Sequence, residues 1–424
     1  MTLPSSATTP APPGSQGAPA SPVSSPLPPQ PVLSRAQAAL ALALLLGLQP
    51  VTTDVYLPAL PALTRDLGAP ISQVQLTLSA LMLAFGLAQL VWGPVADRVG
   101  RRPVLLWGLL IYTLASVGSV LAASIETLIA WRVLQGASMA AAVVCARAIV
   151  RDLYEPQQGA QVMSLALSGL GVLAILAPAL GGLAAHYWGW RAALGLVAAM
   201  GALTGAFVVW RLPETLARPN PLATRLGPLL RLWWQIARHP VFVAWTLLVC
   251  FAYGGLFTIL AGSAFVYIDV LGLSPKVYGL AMAAGSCSYL AGTFFCRRWI
   301  VRHGIAGAVA RGAGFTLAGG LSIAALALFG LQSLWALLIP QCLFAFGHGI
   351  HQPCGQAGAV GPFPHNAGAA SALAGFALSM LAVLIGLWLG RALDGTVLPY
   401  ALGLAFWSVA ISVVAWTLVQ RRSS

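Results

Sequence analysis

The chain has 424 residues, 59% of them hydrophobic and only 7% charged, with a mean hydropathy of +0.85. A soluble globule carries roughly a quarter charged residues, so this chain has too little polar surface to cover one. Its 22 Lys and Arg against 9 Asp and Glu leave a net charge of +13. These bases are scattered between apolar runs instead of forming a patch, which argues against nucleic-acid binding and suits the inner-loop bias of a polytopic membrane protein.

Residues 1–34 are rich in Pro, Ser and Ala and hold no charged side chain. The basic start and apolar core of a secretory signal are missing, so this stretch is expected to be a disordered cytoplasmic tail. From Arg35 onward, apolar runs of membrane-spanning length recur, with spans expected at 36–61, 73–96, 104–123, 127–149, 160–185, 191–211, 241–263, 276–296, 305–329, 334–357, 369–390 and 399–419. The fold class is therefore all-α and polytopic, with about twelve transmembrane helices. The longest polar interval, 212–240, mixes Arg225, Arg231 and Arg238 with Leu229, Leu230, Trp233 and Trp234, a pattern suited to an amphipathic helix on the inner membrane face. It divides the chain into a six-helix half at 35–211, a cytoplasmic connector at 212–240 and a second half at 241–424. The basic residues on the expected inner side outnumber Arg65, Arg191, Lys276 and Arg391 on the outer side, which puts both termini in the cytoplasm.

Asp54, in LQPVTTDVYLPAL, is the only acid well inside an expected span, with Pro50 and Pro58 giving its helix freedom to bend. An intramembrane carboxylate is costly and marks a functional position by default. After the second span, GPVADRVGRRP (93–103) sets Gly93, Asp97, Arg98, Gly100, Arg101 and Arg102 around a tight basic turn. A plain positive-inside loop would need the arginines but not the acid with glycines at fixed offsets. In the fourth span, Arg132 precedes Gln135 and Gly136; the arginine either snorkels to the interface or faces a protein interior. The fifth span holds GVLAILAPALGG, where Pro178 kinks the helix and Gly181 and Gly182 permit close packing.

These segments together resemble the major facilitator superfamily. GPVADRVGRRP is similar to its loop motif, with Val95 in place of the usual Leu, and LxxxRxxQG around Arg132 is similar to its fourth-helix proton-coupling motif. The fifth-span segment is similar to its antiporter motif, although Leu173 and Ala177 stand where that motif has glycines. TTDVYLPALP, ARAIVRD (146–152), LAPALGG and AGAASALAG (367–375) look like the Bcr/CflA branch of drug exporters, and LPET (212–215) like the superfamily at large. The resemblance covers about residues 36–420. It implies two six-helix halves that rock about a central site, with Asp97 and Arg101 as cytoplasmic gate residues.

The second half echoes the first weakly: FFCRRWIVRHG (294–304) has a basic turn with Cys296 or its neighbours where the acid would stand. In the tenth span, His348, His351 and Gln352 fall on nearly one face. With an ordinary pKa of about 6.5, the imidazoles either couple protons or serve as neutral packing groups. The stripe Ala367, Ser371, Gly375 and Ser379 reads as a tight helix contact. The six cysteines have no zinc-ligand spacing and read as small core residues.

The function expected from the residues and the resemblance is proton-coupled efflux of small, partly apolar drugs or toxic compounds by alternating access, in a bacterial inner membrane. Asp54, Arg132, His348 and His351 are the proton-coupling candidates, and Tyr56, Gln89, Tyr112 and Phe257 the candidate cavity contacts. No metal and no cofactor are expected; the proton gradient supplies energy, and the partners are substrate, protons and lipid around a monomer. The alternative is proton symport of a small metabolite on the same fold. A membrane enzyme using the two histidines lacks HExxH, a nucleophile elbow and an acidic cluster.

Overall fold

The computed structural model describes residues 34–217, 219–221 and 223–423. The expected tail, apart from Ser34, lies outside the described residues, as does Arg218 of the connector. Ser34 caps α1 (Arg35–Asp54), its hydroxyl accepting from the Gln37 N–H while the Gln37 side chain accepts from the Ser34 N–H. Regular helix stops at Asp54 for a definable reason. Pro58 has no N–H to donate to the Asp54 carbonyl one turn back, so the helix breaks at Val55–Tyr56. A 3₁₀ turn (Leu57–Ala59) and α2 (Leu60–Asp66) complete the first span. The expected run 36–61 is thus one crossing made of two helices, interrupted beside its acid.

The first half continues with α3 (Ile71–Val99), α4 (Arg101–Val120), α5 (Ile125–Leu153), α6 (Pro156–Trp188) and α7 (Trp190–Arg211). The connector forms α8 (Leu226–Ala237), which buries Ile236, exposes Leu230 and Trp234, and sets Arg238 over the Trp234 ring at 4.7 Å. The second half comprises α9 (Pro240–Ala264, extended by a π-helical turn at Phe265–Val270), α10 (Pro275–Leu328), α11 (Leu334–Val360), α12 (Ala367–Ala392), α13 (Leu398–Trp416) and the short α14 (Leu418–Ser423).

The basic turn expected between 296 and 305 is present but reduced to a single residue. α10 joins both expected spans, and its only non-helical residue is Gly304, at φ 69° and ψ 176°. Contacts with α11 show that the chain reverses there. Before Gly304 the pairs Ser288–Cys342, Gly292–Phe346 and Cys296–Ile350 run parallel to α11; after it, Gly312–His351, Thr316–Gly347 and Gly319–Pro340 run antiparallel. Twelve crossings therefore remain, two of them hinged on one glycine. The first half repeats this plan. α3 runs parallel to α5 through Leu81–Gly136 and Gly93–Val144, while α4 is antiparallel through Gly118–Trp131 and Gly108–Ala141.

Small residues make these contacts, as expected where lipid is as apolar as the helices and only close approach gives a net gain. The stripe on α12 forms part of the seam between the halves. Gly390, Gly386, Ser379 and Gly375 meet Ser72, Ser79, Gly86 and Gln89 of α3 in turn, and Ser371 accepts from Arg147 of α5. At the end opposite the Asp97 loop, Gly182 and Gly279 bring α6 and α10 into backbone contact. There too, Arg65 of α2 pairs with Asp269 of the π-helical turn at 3.2 Å, the only ion pair joining the halves among the described residues. A side chain at Gly279 would strike the Pro178 carbonyl, which no rotamer change relieves. Gly279→Ile is expected to part the two halves at this end, at a cost of about 1–3 kcal/mol to the closed arrangement. Faster labelling of a cysteine placed at Gln49, by an impermeant maleimide added from that side, would show it.

Candidate functional site

Asp54 is partly accessible, whereas its neighbours Thr52, Thr53, Val55 and Tyr56 are buried. The Thr53 hydroxyl donates to Asp54 Oδ1 at 2.7 Å. From the second half, Tyr253 of α9 and Tyr278 of α10 lie within electrostatic reach of the carboxylate.

Arg132 is fully buried on the other side of α1. Its Nη1 donates to Gln135 Oε1 at 2.6 Å, its Nη2 to the Thr52 carbonyl at 3.3 Å, and its guanidinium lies 4.2 Å from the Tyr56 ring centroid. Gln135 in turn donates to Ser116. Thr52 and Tyr56 are one turn apart on a single face, whereas Asp54, two residues from each, falls on the opposite face. The arginine therefore grips the strip of chain that carries Asp54 without making an ion pair with it; no acid pairs with Arg132 among the described residues. Its position also rules out snorkelling to the interface.

The antiporter segment reaches the same place. Gly181 lies against the backbone of Val55, so that any Cβ there would collide with it, while Gly182 meets Pro275 and Gly279 of α10. Pro178 to Gly182 is thus wedged between the break in α1 and the second half.

The loop motif is a closed charge network. Arg101 Nη1 pairs with Asp97 at 2.6 Å and its Nε with Asp152 at 3.0 Å, while Thr215 donates to the same Asp152 oxygen. Arg98 donates to Thr224, Arg102 to the Val209 carbonyl, and the Asp97 carbonyl accepts from the Asn220 N–H. Gly100 has φ 115°, a conformation that favours glycine, and Gly93 faces Val144. Glu214 of the LPET segment completes the network: its two oxygens accept the first N–H groups of α4, from Arg101 and Arg102, at 2.9 and 3.1 Å. This is a helix N-terminus neutralised by an acid over a hundred residues away. Burial alone would raise the Glu214 carboxyl, but N–H donors from Leu216, Arg101, Arg102 and Thr215 outweigh it and hold the group below its ordinary 4.5. The sequence offered a signal for Glu214, an acid just beyond a span, but not its partner.

The two histidines of α11 part company. His351 faces the second leg of α10, with Nε2 3.3 Å from the Val309 carbonyl and Nδ1 3.5 Å from the Thr316 hydroxyl, so both ring nitrogens are used. His348 faces the first leg, its ring 5.6 Å from that of Tyr289, and Nδ1 has no hydrogen-bond partner. Where the first half has the Asp97–Arg101 pair, the second has Cys296 in contact with Cys354 at 3.4 Å.

Residues 42–387 match the Major Facilitator Superfamily. The chain belongs to that superfamily. Among its relatives, multidrug resistance protein D of Escherichia coli (strain K12) is 33% identical over 79% of this chain and 84% of its own. The chloramphenicol resistance protein of Pseudomonas aeruginosa is 31% identical over 85% and 86%, and a bicyclomycin resistance protein homologue of Haemophilus influenzae is 26% identical over 91% and 96%. These relatives bear out the resemblance to the Bcr/CflA branch. In fold, the superfamily member known as D-xylose-proton symporter superposes with a TM-score of 0.74 at 15% identity, covering 91% of this chain and 97% of its own.

The expected cavity contacts Tyr56, Gln89, Tyr112 and Phe257 are all buried in this conformation. Tyr56 bonds Thr77 and sits under Arg132, Tyr112 bonds Thr52, Gln89 lies against Gly375, and Phe257 against Gly386. Large side chains at mid-span looked like cavity walls, but opposing small residues leave room for them inside helix contacts.

Two outcomes test this picture. The stabilisation from Glu214 is fully present above its ordinary pKa of 4.5 and is lost as pH falls through its lower folded value. Thermal unfolding of the wild type in detergent is therefore expected to weaken more steeply below pH 4.5 than that of Glu214→Gln. His351→Leu is expected to lower stability by about 1–3 kcal/mol while leaving transport per folded molecule unchanged; a large loss of transport at full stability would contradict its packing role.

Proposed function

We propose that this transporter exports small, partly apolar compounds in exchange for protons, and that Asp54 carries the proton. The observation that carries the reading is a partly accessible carboxylate at a break in α1, within electrostatic reach of tyrosines of the second half and without an ion-pair partner among the described residues. A carboxylate bound to a fixed cation would have little reason to change state; this one is free to take a proton in one conformation and release it in the other. An inward proton then adds about 2.3 kcal/mol per 100 mV of membrane potential to the cycle. Arg132 acts as a positioning residue, holding Thr52 and Tyr56 on either side of the acid.

The direction of transport rests on the drug-resistance relatives, which make chloramphenicol and bicyclomycin the first compounds to try. The fold does not decide it, since a proton symporter shares it. We place the protein in a bacterial inner membrane as a monomer with both termini and the Asp97 loop cytoplasmic, supported by the bias of arginines to that end. No cofactor, metal or enzymatic step enters this reading. Its central test is Asp54→Asn in liposomes with an imposed proton gradient. Gradient-driven chloramphenicol transport should fall to background, about 100-fold or more, with the protein still folded. Unchanged coupled transport would remove Asp54 from the mechanism, and gradient-driven substrate movement in the same direction as protons would replace export with uptake.

A further inference from the structure

The unpartnered ring of His348 points to a substrate contact. His348 is 4% exposed, lies near the middle of α11, and its Nδ1 has no partner. Its ring lies near the backbone of Ala252, the residue before Tyr253 of the Asp54 site. A neutral imidazole that donates its one N–H to a carbonyl keeps a lone pair on the other nitrogen. That lone pair is an acceptor held in place and left unused, and leaving a buried polar atom unmatched is costly unless something else satisfies it. His351, three residues on, shows the alternative: both of its nitrogens are occupied by Thr316 and Val309.

We propose that His348 is a specificity-determining residue, accepting a hydrogen bond from a hydroxyl or amide N–H on a neutral substrate whose apolar or aromatic body lies against Tyr289. This rests on the transport reading given above and adds the chemical class of substrate. The surroundings fit that class. Tyr289 presents a ring 5.6 Å from His348, and Met82 contacts the Tyr253 hydroxyl at 3.5 Å, so polar atoms are few and set among polarizable, apolar ones. Met82 comes from α3 of the first half, and Asp54 of that half lies within electrostatic reach of Tyr253. Proton carriage and substrate recognition thereby fall on opposite halves, and closure of the halves brings them together.

Equilibrium binding to the purified full-length protein in nanodiscs, with no proton gradient, separates the two roles. The probes are chloramphenicol, its di-O-methyl ether and its N-methyl amide. The wild type should bind chloramphenicol about tenfold more tightly than at least one of the two derivatives, the worth of one buried hydrogen bond. His348→Leu should bind all three at the level of that weaker derivative, and His348→Asn, whose amide oxygen restores an acceptor, should recover part of the preference. His351→Leu, at a ring already occupied by Thr316 and Val309, should keep the preference in full. Unchanged affinity of His348→Leu for the weaker derivative shows that the site is still folded. A preference that survives in His348→Leu, or a wild type that binds all three equally, overturns the contact while leaving the transport reading intact. Binding that follows the expected pattern in a protein that moves no substrate in liposomes would sink the transport reading and keep the contact.

Discussion

The contact of Gly181 with the backbone of Val55 is the constraint on which the rest of the transporter depends. It holds α6 against the one place where α1 is not helical, immediately after Asp54. Pro58 creates that break by leaving the Asp54 carbonyl without its helical donor, and Arg132 supports it by donating to the Thr52 carbonyl two residues earlier. One residue further along α6, Gly182 touches α10 of the other half. A change in the conformation of the Asp54 turn therefore meets a rigid backbone contact, then the second half, within two residues of α6. No flexible side chain intervenes to absorb the movement, because packed interiors shift between discrete arrangements more readily than they deform.

Charge is distributed so as to leave this region alone. Asp97, Arg101, Asp152 and Glu214 satisfy one another at one end of the first half, where water is at hand and α4 begins. The only described ion pair between halves, Arg65–Asp269, is at the other end and substantially exposed, the kind of pair worth about 1 kcal/mol or less. It closes that end and is easily broken, which suits a surface that must open in every cycle. Between the two ends, Asp54 and Arg132 face away from each other. Pairing them would have stabilised a single state and removed the acid from use.

Much of this was legible from the chain alone. Twelve crossings, the charged loop and the anomalous acid all follow from run length, from the glycine and arginine offsets in GPVADRVGRRP, and from the cost of a carboxylate in lipid. What could not be read was rotation. In a soluble helix an apolar stripe shows which face is buried, but lipid is as apolar as a helix contact, so the faces of α9 or α11 look alike. Hence the burial of Tyr56, Tyr112, Gln89 and Phe257 in helix contacts, and the different surroundings of His348 and His351, could not be read. The basic run before Gly304 marked the reversal, but not that it would need only one residue at positive φ. Glu214 was visible as an acid past a span, yet its function depends on α4 beginning next to it, and that is a tertiary fact.

The two halves repeat in topology but not in chemistry, and the difference is instructive. Where the first half places an ion pair at the end of its second helix, the second places a pair of thiols, Cys296 and Cys354, which hold no charge network together. Where the first half buries an arginine among Gln135, Thr52 and Tyr56, the second buries Gln341, whose carbonyl oxygen accepts from both Tyr267 and Tyr400. The second half is thus held by neutral hydrogen bonds that a proton does not disturb, and the first by charges that constrain where a proton can act. A transporter that must change state at one acid without loosening the wall against which its substrate lies benefits from that division. Confining the buried arginines, Arg101 and Arg132 among the described residues, to one half lets the other keep a constant recognition surface through the cycle.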